Sequence, residues 1–337
     1  MSPGPYGGRP GLTGRRAGRA RAGDPAAPLT REWSPPYPVD VRLVLSVHSR
    51  GFCDPAYRVD ASGAVWRTVL TPDGPGTLRV ATRAGVRYAD LGSPATITAA
   101  AWGPGAGWLL ETLPALLGDH DDLAGFKPVH PLLREMAARH PGARVGRSGR
   151  VLEALVPAVL EQKVVGVEAR RAWHYLLRRF GLPAPGPAPA GMRVIPDAKT
   201  WAQIPSWDWH RAGVEAVRAR TIAGAARVAA RLEEIGAMAA ADADRRLRSL
   251  PGIGPWTSAE VRQRACGDAD AVSVGDYHLP AVVGWSLAGR IVDDDGMLQL
   301  LAPYAGHRYR ATRLVELSGA HPPRRGPRLA LREYRAF

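Results

Sequence analysis

The chain has 337 residues, room for two or three domains of about 100–200 residues each. Hydrophobic residues make up 45% of it, so a sizeable core can form, and 45 Lys and Arg against 31 Asp and Glu leave a net charge of +14. A globular chain this basic is expected to meet a polyanion, with nucleic acid the first candidate. No run of about 18 apolar residues occurs, which argues against a helical membrane span. The basic N-terminus leads into Gly, Pro and Arg, not into an apolar stretch, so no secretory signal is expected. Cys53 and Cys266 lie far apart and form no CxxC. A disulfide framework is therefore not indicated, a reducing cytoplasmic setting fits, and two thiols cannot hold a four-cysteine iron–sulfur cluster.

In chain order, residues 1–36 are dense in Gly, Pro and Arg and read as a disordered tail. Six arginines there face only Asp24 and Glu32. A β-rich domain is expected over 37–118. Its strands are Val41-Arg42-Leu43-Val44-Leu45, Val65 to Leu70 after the Ser62-Gly63 turn signal, and Leu78 to Ala81 after Asp73-Gly74-Pro75-Gly76. Trp108 to Leu113 reads as a helix packed on that sheet. From 119 to 320 the pattern is helical. Pro131 to His140 is a short helix; Val151 to Phe180 is a long one, with Pro157 as a kink or break. A Pro/Gly loop over 181–196 and helices near 197–212 and 214–237 follow. Residues 321–337, with five arginines against Glu333, form a basic tail. Either tail could add salt-dependent phosphate affinity or remain simply solvated. The fold class is thus α+β, an antiparallel β-rich N-terminal domain before an all-α body.

The most informative stretch is Leu250-Pro251-Gly252-Ile253-Gly254-Pro255-Trp256-Thr257, between helical segments over Asp242–Ser249 and Thr257–Cys266. Gly252 and Gly254 can adopt backbone angles closed to other residues. Around Ile253, bare backbone N–H groups could approach a phosphate, reinforced by the following helix N-terminus. An ordinary glycine-capped turn is the alternative. Twenty-two residues past Gly254 stands Val274-Gly275-Asp276-Tyr277-His278-Leu279, ahead of a helix over Pro280–Ala288. Alone, Asp276 reads as a helix N-cap.

Hairpin, helix and aspartate at this spacing resemble the helix-hairpin-helix (HhH-GPD) DNA glycosylase superfamily, more narrowly its 3-methyladenine DNA glycosylase II branch. The resemblance spans about residues 37–320. It takes in Leu160-Glu161-Gln162-Lys163-Val164 and Leu301-Ala302-Pro303-Tyr304. It implies a DNA repair enzyme of base excision, working as a monomer on duplex DNA with damaged bases, in the cytoplasm at the nucleoid. Asp276 would be the catalytic carboxylate, stabilising the cationic sugar and orienting water after the base is flipped. Relatives that also nick the strand carry a lysine at Trp256, so the resemblance implies base release without lyase activity. Alkylated purines such as 3-methyladenine and 7-methylguanine are the implied substrates.

Trp256 and Glu260, one turn apart on one face, would line the base pocket. Trp256 could instead pack the hairpin, and Glu260 could be a solvated charge. Gly252, Ile253, Gly254, Gln162, Lys163 and His278 would contact DNA, with Lys163 standing where relatives place an apolar wedge. Gln162 could equally be a satisfied buried amide and His278 a packed helix residue. Arg308 and Arg310 are phosphate candidates, and Arg313 falls near a pocket position that is aromatic in relatives. No zinc spacing occurs. No cofactor is expected beyond a monovalent cation that the resemblance allows at the hairpin. Two alternatives remain open: a non-catalytic DNA-binding module, and a glycosylase for deaminated, oxidised or bulky-adduct bases.

Overall fold

The computed structural model describes residues 27–82 and 96–323. Five strands form one antiparallel sheet in the order β1-β5-β4-β3-β2: β1 Leu29–Trp33, β2 Tyr57–Val59, β3 Val65–Thr71, β4 Gly74–Thr82 and β5 Ile97–Trp102. In β5, Ile97, Ala99 and Ala101 point into one cluster with Leu78 and Val80, while Trp102 stacks on Trp66 across the other face. This is the period-2 alternation of a sheet covered on both sides. Helices α1 (Val41–Ser46), α2 (Ala106–Glu111) and α3 (Leu113–Leu116) cover the first face.

Two sequence expectations fail here. Val41–Leu45 is the helix α1, not a strand. Asp40 accepts the Leu43 N–H at 3.0 Å as its N-cap, and Val41, Val44 and Leu45 are buried at helical spacing. A short aliphatic run fits either period, and the cap decides it. The tail expected over 1–36 also ends early, because Leu29–Trp33 forms β1. Its pairing satisfies the outer backbone groups of β5, a reason that composition does not display. Residues 1–26 and 324–337 of the two expected tails lie outside the described residues.

The body contains α4 (Pro131–Arg139), α5 (Val151–Leu160), α6 (Gly166–Phe180), α7 (Ala198–Gln203), α8 (Ser206–Ala212), α9 (Ala216–Arg227), α10 (Ala229–Glu233), α11 (Ala240–Arg248), α12 (Pro255–Val261), α13 (Leu279–Ala288), α14 (Asp294–Leu301) and α15 (Arg308–Leu317). A two-stranded ribbon, β6 Leu182–Pro183 with β7 Arg193–Val194, interrupts them. The long pattern over 151–180 is two helices, and its break falls at 161–165. Pro157 lies inside α5. Two apolar clusters divide the helices. One is centred on α5 and includes α9 and α11; the other joins α4 to α13, α14 and α15. The chain passes from the first to the second between Cys266 and Leu279, and Asp276 lies in that crossing.

Candidate active site

The hairpin joins α11 to α12, and α12 runs on into a π-helical turn over Arg262–Cys266. The Ile253 N–H closes the turn on the Leu250 carbonyl at 3.1 Å. The Ile253 side chain is buried in the α5 cluster, so both the side chain and the N–H expected to face a phosphate are used in holding the hairpin. Gly252 has φ +87°, and a Cβ there would lie 2.2 Å from Thr221 Oγ1 on α9. Only glycine fits on both counts. Gly254 differs from the expectation: its φ of −95° is open to any residue, and a Cβ would meet nothing within 4 Å. What Gly254 provides is an unobstructed surface at the start of α12, where Pro255 occupies a first-turn position.

Gln162 sits just past α5 and is tied to this hairpin. Its Nε2 donates to the Gly252 carbonyl at 2.9 Å and to Thr257 Oγ1 at 2.9 Å. Both amide hydrogens are thus engaged in holding the hairpin. Next to it, Lys163 is exposed with φ +54°, a left-handed backbone that non-glycine residues seldom adopt. The strained tip turns the lysine outward beside the hairpin.

Asp276 does two things at once. Its Oδ1 accepts the N–H groups of His278 at 2.8 Å and Leu279 at 2.9 Å, an aspartate turn that leads into α13, whose N-cap position is His278 and not the expected Asp276. Its Oδ2 accepts the Trp256 indole N–H at 3.0 Å. Gly275, at φ +89°, anchors the loop through its N–H to the Asp294 carboxylate at 3.1 Å. The carboxylate is therefore fixed from α12 on one side and α13 on the other, and it remains part-exposed. Trp256 was expected to stack or to pack; it also orients Asp276. Tyr277 is 81% exposed and meets the ring of exposed His278 edge-on, with centroids 4.8 Å apart.

Glu260 does not present a free carboxylate. Ser273 donates to its Oε1 at 2.6 Å, and Arg264 Nη1 donates to its Oε2 at 2.8 Å. Gln263 braces Ser273 at 2.9 Å, and Arg264 Nε reaches the Val47 carbonyl of the sheet domain at 3.0 Å. Burial works against the Arg264 charge, but Glu260, Tyr309 and Glu161 outweigh it and hold the guanidinium above its ordinary range. Arg50, also from the sheet domain, approaches Glu161 at 3.8 Å. Nothing local in the sequence places Arg50 here. The Glu260–Arg264 pair does follow the i,i+4 rule.

Arg308 and Arg310 are engaged within the protein. Arg308 forms a two-pronged pair with Asp270, and Arg310 is buried against Asp121. Arg313 pairs with Glu316 at 2.7 Å. A cavity of about 420 Å³ lies between α1 and α15, lined by Val47, Phe126, Gln263, Tyr309 and Arg313 among others. Neither Trp256 nor Asp276 lines it, so the carboxylate does not face this cavity. Among the described residues, no group of three or more His, Cys, Asp or Glu is placed to hold a metal ion, and no helix is long and apolar enough to cross a membrane.

Solved structures share this fold. The 3-methyladenine DNA-glycosylase from Archaeoglobus fulgidus superposes with a TM-score of 0.66 at 17% identity, over 86% of this chain and 98% of its own. The Clostridium acetobutylicum 8-oxoguanine glycosylase/lyase, in its apo-form, gives 0.62 at 11% identity, over 83% and 93%. The chain thus shares its fold with these DNA glycosylases. In sequence, it is 32% identical over 154 residues to the "Probable bifunctional transcriptional activator/DNA repair enzyme AlkA" of Mycobacterium tuberculosis. That match covers 44% of this chain and 30% of the relative's length. No protein-family model matches the chain.

Proposed function

We propose that the protein is a monofunctional DNA glycosylase that hydrolyses the N-glycosidic bond of a damaged base in duplex DNA. The observation carrying this reading is the 3.0 Å bond from the Trp256 indole to Asp276. It fixes a part-exposed carboxylate beside the hairpin and puts an indole where lyase relatives need an amine. Breaking the glycosidic bond builds positive charge on the deoxyribose. Asp276 stabilises that charge and orients the attacking water. The base must first leave the stack. The open surface at Gly254 suits a close phosphate approach, and Lys163, turned out from its tip, suits the gap left behind.

The sequence points to alkylated purines, with Trp256 as a stacking face and Glu260 as a counter-charge. The engagement of both Glu260 oxygens favours a second reading, a deaminated or oxidised base.

The test is single-turnover base release from duplexes carrying one lesion each. Asp276→Asn should slow release by about 10²–10⁴-fold. Asn keeps an acceptor for the His278 and Leu279 N–H groups, so the variant should still fold, while the amide N–H₂ it turns toward the indole N–H loses that one bond. Release unaffected in Asp276→Asn would sink the assignment. Strand nicking without heat, with a borohydride-trapped adduct lost in Lys163→Ala, would overturn the monofunctional reading.

A further inference from the structure

Taking a base out of the stack uncovers the faces of its neighbours, and an aromatic or apolar side chain is what covers them again. Of residues 161–165, beside the hairpin, only Lys163 is exposed, and it brings a charge and not a ring. The sheet domain supplies a ring. Phe52 is 93% exposed, while the turn that carries it is braced. Buried Asp54 accepts the N–H groups of Arg50 at 2.6 Å and Ala56 at 2.9 Å. The Asp54 N–H closes the turn on the Gly51 carbonyl at 3.3 Å. A ring on a turn ordered in advance loses less freedom on meeting a partner.

Three contacts set this turn against the α5–α6 junction. Asp54 Oδ1 accepts the indole N–H of Trp173, on α6, at 2.9 Å. Arg50 approaches Glu161 at 3.8 Å. The Arg170 side chain of α6 lies over Gly51, where a Cβ would collide with it, and its Nη1 stands 3.0 Å from where a Cβ on Gly166 would be. Gly166 is three residues past Lys163, so one arginine side chain spans from the Phe52 turn to the Lys163 turn. Among the described residues, Cys53 at φ +66° and Lys163 at φ +54° are the non-glycine residues with left-handed backbone, one on each of these turns. Gln162 ties the second turn to the hairpin. Phe52, Lys163 and Arg170, all exposed, thus stand on neighbouring segments next to the hairpin.

We propose that Phe52 is a stacking wedge: its ring enters the duplex at the lesion and covers a base face uncovered by the flip, beside the gap that Lys163 reaches into. This inference rests on the glycosylase reading. The occupant of the ring is a nucleic acid and not an apolar protein surface, because cations flank it. Lys163 and Arg170 suit a phosphate backbone, and the ring suits a base. Stacking on a base face is tolerant of sequence, so the wedge senses an opened stack and leaves the choice of lesion to the site around Asp276.

The experiment measures equilibrium binding of the full chain to a duplex holding one tetrahydrofuran abasic analogue and to the matched intact duplex, over a range of salt. Phe52→Ala should bind the abasic duplex about tenfold more weakly than wild type and the intact duplex equally well. Its salt dependence should be unchanged, since the ring neutralises no phosphate. Phe52→Tyr, which keeps a ring, should bind as wild type does. Melting temperatures should agree across the three proteins, because the side chain is exposed. Equal binding of the abasic duplex by wild type and Phe52→Ala would overturn the wedge. So would an equal loss on both duplexes, or a Phe52→Tyr variant as weak as Phe52→Ala. These outcomes leave the glycosylase reading standing as long as wild type prefers the abasic duplex. Wild type that binds both duplexes alike would bring down that reading and the wedge together.

Discussion

Helix α5 passes through two regions made of different materials. Along most of its length Leu155, Val156 and Val159 lie in an apolar cluster with Trp173, Leu177 and Ile222. Toward the sheet domain the same helix shows Glu153, ion-paired to buried Arg67, and the following Glu161 meets Arg50. Each apolar side chain in the first region contributes about 1.5–3 kcal/mol on burial, without directional demands. The ion pairs in the second offset much of their attraction against lost hydration, so they are poor evidence of stability. Their gain is placement: they seat Arg67 of β3 and Arg50 of the sheet domain against α5 and the turn that follows it. In this molecule the apolar region holds the fold together, and the charged seam fixes where the sheet domain meets α5 and the turn after it.

That contrast can be broken by mutation. Arg67→Met should be the most damaging, at about 3–5 kcal/mol, because it strands Glu153 in the interior. Burial already pushes the Glu153 carboxyl upward against the pull of Arg67. Adding Glu153→Leu should return most of the loss in denaturant titrations. A double variant as unstable as the single one would mean the pair stabilises after all. Leu155→Ala should cost about 2–5 kcal/mol through the cavity it leaves, with the ranking of lesions unchanged in release assays. A changed ranking would show that the apolar region steers the site.

The smallest effect is with pH. His48 and His174 are both held below the ordinary imidazole value of 6.5, by burial first. As pH falls through that value the unfolded chain takes up more protons than the folded one, so stability falls with it. Above it both states are neutral at these sites and the contribution disappears. The melting temperature should drop between about pH 7.5 and about pH 5, and His48→Gln should flatten the slope. An unaltered slope in His48→Gln would place the titration elsewhere.

What the sequence by itself determined is the hairpin, the aspartate and the missing lysine at Trp256. These are legible because each is local: a glycine at φ +87°, a first-turn proline, and an aspartate bonded to an N–H three residues on. Local backbone physics acts along the chain, where pattern can be read. Strands β3 and β4 were legible for the same reason; β1, β2 and β5 were not read as strands, and a short aliphatic run that fitted two periods became a helix through Asp40. The tertiary structure alone decided that Trp256 holds Asp276, that Gln162 grips the hairpin and that Arg50 faces Glu161. It also decided that Arg308 and Arg310 turn inward. Those partners are distant in sequence, and a polar side chain's role is set by whichever acceptor or donor the topology brings within about 3 Å of it.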